Sequence, residues 1–151
     1  MASRRDQIRM SADELRAFLE EGKVVTCATI GPKGRPHLMP LWYVIDADGD
    51  ALRGWTYAKS QKAKNLERDP HATLQVEVGV AYEELRGVMM ECDVELVRDN
   101  VAAFGTALFD RYVPGVDVGD MIAEQAPKRV GLRFMPTRTV TWDHRKLGGG
   151  Y

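Results

Sequence analysis

A chain of 151 residues is long enough to bury a core and fits one domain, residues 1–151. Its 21 Lys+Arg against 22 Asp+Glu leave a net charge of -1, so no global basic field points to nucleic acid. Met1 to Met10 is polar and basic, unlike a signal peptide, and no apolar run is long enough to span a bilayer.

In chain order, Ser11 to Glu21 predicts a helix: Ser11 caps it, Glu14 completes a capping box, and Gly22 ends it. Lys23 to Ile30 predicts a strand, turned by Gly31-Pro32-Lys33-Gly34. Pro36 to Ile45 follows as one strand with two apolar faces, so both sides need covering, one of them by a ligand or a second subunit. Pro40 cannot donate to a ladder and marks an edge or a bulge. Asp48-Gly49 turns the chain into a strand from Ala51 to Tyr57.

A helix from Ser60 to Asp69 comes next, stopped by Pro70. Ala72 to Val78 alternates, with Ala72, Leu74, Val76 and Val78 inward. Leu85 to Val97 does the same, with Val88, Met90, Cys92, Val94 and Leu96 on one face. Asp99 is placed to cap a helix running to about Tyr112, and a short helix near Val118 to Gln125 follows Pro114-Gly115. Arg129 to Trp142 reads as a strand interrupted at Pro136, then a polar tail from Asp143 to Tyr151. Six mostly hairpin-connected strands with short helices predict a mainly β fold, a small antiparallel barrel.

The Ser60 helix has a charge pattern that works against its own dipole. A helix N-terminus favours carboxylates, yet Lys59, Lys62 and Lys64 stand there with no acid before Glu67. Two readings are open: long lysines bending into water, or ammonium groups that join the free N–H groups in a phosphate cradle.

Four segments in order carry a resemblance: Gly34 to Tyr43 (G-R-P-H-L-M-P-L-W-Y), Ser60 to Pro70 (S-Q-K-A-K-N-L-E-R-D-P), Tyr82 to Val88 (Y-E-E-L-R-G-V) and Trp142 to Gly149 (W-D-H-R-K-L-G-G). With them the chain resembles the split-barrel superfamily of pyridoxamine 5'-phosphate oxidase. Within it, the chain is similar to the actinobacterial oxidoreductases that use the deazaflavin coenzyme F420. The resemblance implies a six-stranded antiparallel FMN-binding split barrel that dimerises, with the cofactor in the groove between subunits.

Position by position, it implies that Ser60 and Lys62 hold the cofactor phosphate, with Gln61 and Lys64 beside them and Trp55 and Thr56 leading in. The strand with His37, Met39, Pro40, Leu41 and Trp42 would lie along the ring system, and His144 and Arg145 would approach from the tail. Flavin members often carry an arginine where this chain has Gln61, which favours F420 over FMN. The activity implied is hydride transfer between reduced F420 and a small unsaturated acceptor. The rivals are an FMN-dependent oxidase or reductase and a non-catalytic cofactor- or haem-binding protein.

The residues by themselves leave several roles open. Trp42 and Trp55 flank a ring or belong to the core, and His37 faces a groove or plain surface. No pattern of three histidines and two cysteines has metal-ligand spacing, and no nucleophile–base arrangement is evident, so no metal is expected and no catalytic side chain is assigned. Cys27 and Cys92, far apart and on inward faces, are expected to be inert thiols of a cytoplasmic protein.

Overall fold

The computed structural model describes residues 1–149. One seven-stranded antiparallel sheet organises it, in the order β2-β1-β5-β6-β7-β4-β3. The strands are β1 (Val25–Ile30), β2 (Pro36–Leu41), β3 (Val44–Ile45), β4 (Leu52–Tyr57), β5 (His71–Val78), β6 (Arg86–Val97) and β7 (Arg129–Asp143). Five helices accompany them: α1 (Arg4–Gln7), α2 (Ala12–Glu21), α3 (Gln61–Arg68), α4 (Val101–Tyr112) and α5 (Gly119–Gln125). Among the described residues, no helix is long and apolar enough to cross a membrane.

The expected alternation decides which side chains meet. Cys27 of β1, Leu52 of β4, Leu74 and Val76 of β5, Val88, Met90 and Val94 of β6, and Leu132 and Phe134 of β7 fill the concave side. Phe18 and Leu19 of α2 and Leu66 of α3 join this cluster. A second cluster lies on the convex side, where Trp55 of β4 packs with Val101, Phe104 and Leu108 of α4 and Ile122 of α5. Gly105 makes that packing possible, since a Cβ there would stand 2.5 Å from the Trp55 indole.

Several elements differ from the expectation. The sheet has seven strands, because the predicted Pro36–Ile45 strand breaks at Trp42 and Tyr43 into β2 and β3. Those two pieces are the opposite edges of the sheet. Pro40 therefore sits on an edge strand, where its missing donor costs nothing. Pro136 does not interrupt β7; one extra residue, Thr137, is bulged out between the pairs Glu91–Arg138 and Cys92–Pro136.

Asp99 does not cap α4: Asn100 takes that position in the left-handed region (φ 51°), which Asn tolerates better than most residues. Val78 is exposed at the end of β5 instead of inward. The tail is ordered as a 3-10 turn over His144–Leu147, capped by Asp143, while Tyr151 lies outside the described residues.

α2 forms with its predicted capping box of Ser11 and Glu14. Its last carbonyls, orphaned as at every helix end, are collected by Arg111 of α4. The guanidinium donates to Leu19 O (3.1 Å), Glu20 O (3.0 Å), Gly22 O (2.5 Å) and Tyr43 O, and lies over the Tyr43 ring. One cation thus ties α2, α4 and the β2–β3 link together at the negative end of a helix dipole. Replacing Arg111 with Met is expected to lower unfolding stability by about 2–4 kcal/mol, read from the urea midpoint at unchanged slope. Lys at the same position, which lacks the planar fork, should recover less than half of that loss.

Candidate active site

Of the lysines at the start of α3, Lys59 and Lys64 are exposed and Lys62 is buried. Ser60 caps the helix and its Oγ accepts the Ala63 N–H at 3.2 Å, which leaves the N–H groups of Gln61 and Lys62 at the open end. Lys62 is only 6% exposed. Its Nζ donates to Thr56 Oγ1 at 3.5 Å, and Thr56 Oγ1 is 3.3 Å from Ser60 Oγ. Among the described residues Lys62 forms no ion pair; burial, first, and then the charge of Arg129 hold its ammonium below the ordinary lysine range. The two side chains expected to hold a phosphate, Ser60 and Lys62, are therefore gathered at one point, with Thr56 between them.

Their neighbours form a second polar layer. The Gln61 amide donates to Asn65 Oδ1 (2.7 Å), and the fully buried Asn65 donates to Thr29 Oγ1 (3.0 Å). His37 lies directly opposite Thr29 across β1–β2, so the two share a face. Its Nδ1 is buried with no partner. Lys64 points outward and reaches Glu67 at 3.9 Å, so it is not part of the buried cluster.

The aromatic residues mark an adjoining groove of about 270 Å3 lined by Pro40, Leu41, Trp42, Trp55, Leu108, Phe109 and Arg129. Trp42 stacks on Tyr112 (centroids 4.3 Å apart, planes 8° apart) and stays 43% exposed. Trp55 is buried under α4 and meets Phe109 edge-on. Met39 and Leu38 stand exposed on β2, so neither face of this strand is covered within the chain as fully as its composition demands.

The tail residues are elsewhere. His144 Nδ1 lies 2.8 Å from Tyr82 O, and Arg145 grips the buried Asp143 carboxylate at 2.8 and 2.9 Å, holding it below the usual carboxylate range. Neither belongs to the Ser60 cluster or lines the groove within one chain. Burial pushes the Cys27 thiol up to about 11 and the Cys92 thiol up to about 12, so both stay protonated and unreactive. Among the described residues no three His, Cys, Asp or Glu side chains gather as metal ligands.

Arg129, Asn65, Phe109 and Tyr112 were not singled out in the sequence. Asn65 comes with α3 itself, while the β4–β7 register, which sets Arg129 opposite Tyr57, and the docking of α4 bring the others here.

The family model described as pyridoxamine 5'-phosphate oxidase matches residues 11–143. The chain belongs to that family. A structure of the conserved hypothetical protein Rv2991 from Mycobacterium tuberculosis is 38% identical with a TM-score of 0.89, covering 99% of this chain and 95% of that one. A structure named F420 reductase is 26% identical with a TM-score of 0.68, covering 82% and 94%. HutZ, the haem storage protein from Vibrio cholerae, is 16% identical with a TM-score of 0.66 over 86% and 94%, a likeness of fold alone. No curated protein sequence matches. The fold is thus the split barrel of an oxidoreductase family, and its neighbours include proteins of other kinds.

The residues fit a phosphate-bearing, flat-ringed cofactor. A buried ammonium without a counter-ion, two hydroxyls and free helix N–H groups suit a phosphate. The apolar, aromatic-walled groove suits a flat ring, although His37 does not line it. Such a site carries a cost without its ligand. Below the lysine range, folded Lys62 binds protons less readily than unfolded Lys62, so its burial penalty is full at neutral pH and fades as pH rises. Lys62→Met should therefore stabilise the ligand-free protein at pH 7 by about 1–2 kcal/mol, several degrees in Tm. That advantage should shrink on titration towards the lysine range. An unchanged or lower midpoint at pH 7 would show the charge to be compensated within the chain.

Proposed function

We propose that this protein is an oxidoreductase that moves a hydride between reduced coenzyme F420 and a small unsaturated organic acceptor. The observation that carries the reading is the buried, uncompensated Lys62 beside Ser60 and Thr56 at the open end of α3. The likeness to the structure named F420 reductase, at 26% identity, supports the choice of deazaflavin. So does Gln61: its neutral amide is engaged with Asn65, where flavin members often carry an arginine.

When bound, the deazaflavin supplies the hydride chemistry. The chain's own residues do the rest. Ser60, Thr56 and Lys62 anchor the anionic end, while Trp42, Pro40 and Leu41 border the ring and exclude water. His37, which faces Thr29 from the neighbouring strand, keeps a buried Nδ1 with no partner among the described residues, a polar atom left for the ligand. A hydride donor held face to face with its acceptor gains mainly from orientation, which explains a site without a gathered acid–base pair.

The site is completed by a second copy of the chain. Ile30, Leu38, Met39 and Trp42 form an exposed apolar strip along the β1–β2 edge, 39–57% exposed. Apolar edge strands are covered in stable proteins. Light scattering should give the mass of a dimer, and Leu38→Asp with Met39→Asp should give a monomer that loses cofactor affinity. A wild-type monomer would remove the dimer from the proposal.

The decisive experiment is fluorescence titration with F420 and with FMN, followed by reoxidation of reduced F420 with a panel of enones, quinones and nitro compounds. Tighter binding of F420, weakened at least about tenfold in Lys62→Ala, is expected. Preference for FMN would move the protein to the flavin branch. Tight binding without turnover by any acceptor would make it a carrier.

A further inference from the structure

We propose that Arg129 is the second cation of the cradle at Ser60 and Lys62, holding the phosphate of the coenzyme from the β7 side. The inference rests on the phosphate-site reading above and names a residue that the sequence does not single out.

The backbone puts Arg129 at the mouth of α3. β4 and β7 pair Tyr57 with Arg129, and the Ala58 N–H donates to Lys128 O at 2.9 Å. The start of β7 is thereby locked to the segment that runs directly into the Ser60 cap. Arg129 also lines the groove with Pro40, Leu41, Trp42 and Trp55, so it stands where the groove and the helix end meet.

Its guanidinium is positioned but not neutralised. It lies 3.6 Å above the Tyr57 ring and 5.0 Å above Trp55, which fixes its plane. Its side-chain hydrogen-bond partner is the neutral Gln125, whose Oε1 accepts from Nε and Nη2 at 3.3 Å. Among the described residues it forms no ion pair. Several other arginines do meet carboxylates: Arg53 and Arg133 share Asp46, Arg138 meets Glu91, and Arg145 grips Asp143.

Arg129 lies near enough to Lys62 to lower its proton affinity, and an anion between the two cations would relieve that repulsion. α3 itself supplies only one buried cation, because Gln61 is neutral and Lys64 points out to Glu67. The free guanidinium donors can take phosphate oxygens in the forked geometry that lysine cannot offer.

The test compares wild type, Arg129→Gln, Arg129→Lys and a Lys59→Gln control, each first checked for unchanged fold by circular dichroism. The probes come in pairs differing by phosphate: FMN against riboflavin, and F420 against its phosphate-free deazaflavin chromophore. Inorganic pyrophosphate, which has no ring, is followed by its effect on Tm. Arg129→Gln is expected to lose about tenfold or more in affinity for the phosphate-bearing probes and to stay within about twofold for the phosphate-free ones. Its pyrophosphate stabilisation should vanish, Arg129→Lys should restore part of both, and Lys59→Gln should match wild type.

Equal losses on both members of a pair would overturn the inference, since Arg129 would then act on the ring through Trp55. Unchanged pyrophosphate stabilisation in Arg129→Gln would overturn it as well. Wild type stabilised by pyrophosphate but binding no flavin or deazaflavin, with Arg129→Gln unresponsive, would uphold the cradle while removing the coenzyme reading.

Discussion

Two residues hold the two edges of this sheet together. β2 ends at Leu41 and β3 begins at Val44, yet they are the first and last strands in the order β2-β1-β5-β6-β7-β4-β3. A flat sheet of seven strands would set its edges about 29 Å apart, whereas three peptide units reach at most about 11 Å. The sheet must therefore curl until its edges nearly touch. The long strands β6 and β7 allow it: β6 pairs with β7 from Arg86 to Val97, β7 pairs with β4 from Arg129 to Phe134, and the bulge at Thr137 adds local twist. The concave side becomes the core, and the convex side near β4 is left for α4 and α5 to cover.

The link that closes the sheet is also where the groove opens. Tyr43 is pinned there from every side: its N–H donates to Tyr112 Oη, its hydroxyl to Leu19 O, and its carbonyl accepts from Arg111. Trp42 is consequently the one side chain of the link that faces outward, braced against Tyr112 and Phe109. Closure of the fold thus fixes an aromatic wall, and α4 supplies its backing. A mobile loop could not hold a tryptophan half in water at a defined angle; a two-residue bridge anchored by the Tyr43 hydrogen bonds can.

The opposite wall has a different physical origin. α3 follows β4 after a turn of three residues and points its open end at the place where β4 and β7 part. Lys62 is carried inward by helical geometry, one residue past the first turn position, and finds hydroxyls but no carboxylate. Burying a charge in this way costs stability that a solvated lysine would not. The chain carries this cost at the start of α3, beside the core, while the Cys27 and Cys92 thiols are kept protonated by burial.

Much of the local structure was legible in the amino-acid order. The capping box of α2, the alternation of β5 and β6, the edge role of Pro40 and the misfit of lysines with the α3 dipole all follow from interactions within a few residues, and such interactions leave a pattern in sequence. The break between β2 and β3 was not legible, because Trp42 and Tyr43 are good strand residues that only the need to close the sheet forces out of it. The cap at Asn100 in place of Asp99 turned on a backbone conformation one residue away. Arg129 carried no local signal at all. Its position beside the α3 mouth depends on which residue of β4 it faces across seventy positions of chain, and that register is set by the fit of whole apolar faces. Short-range chemistry therefore determined the elements and the lysine-rich helix end, while the tertiary structure alone decided which distant side chains stand beside it.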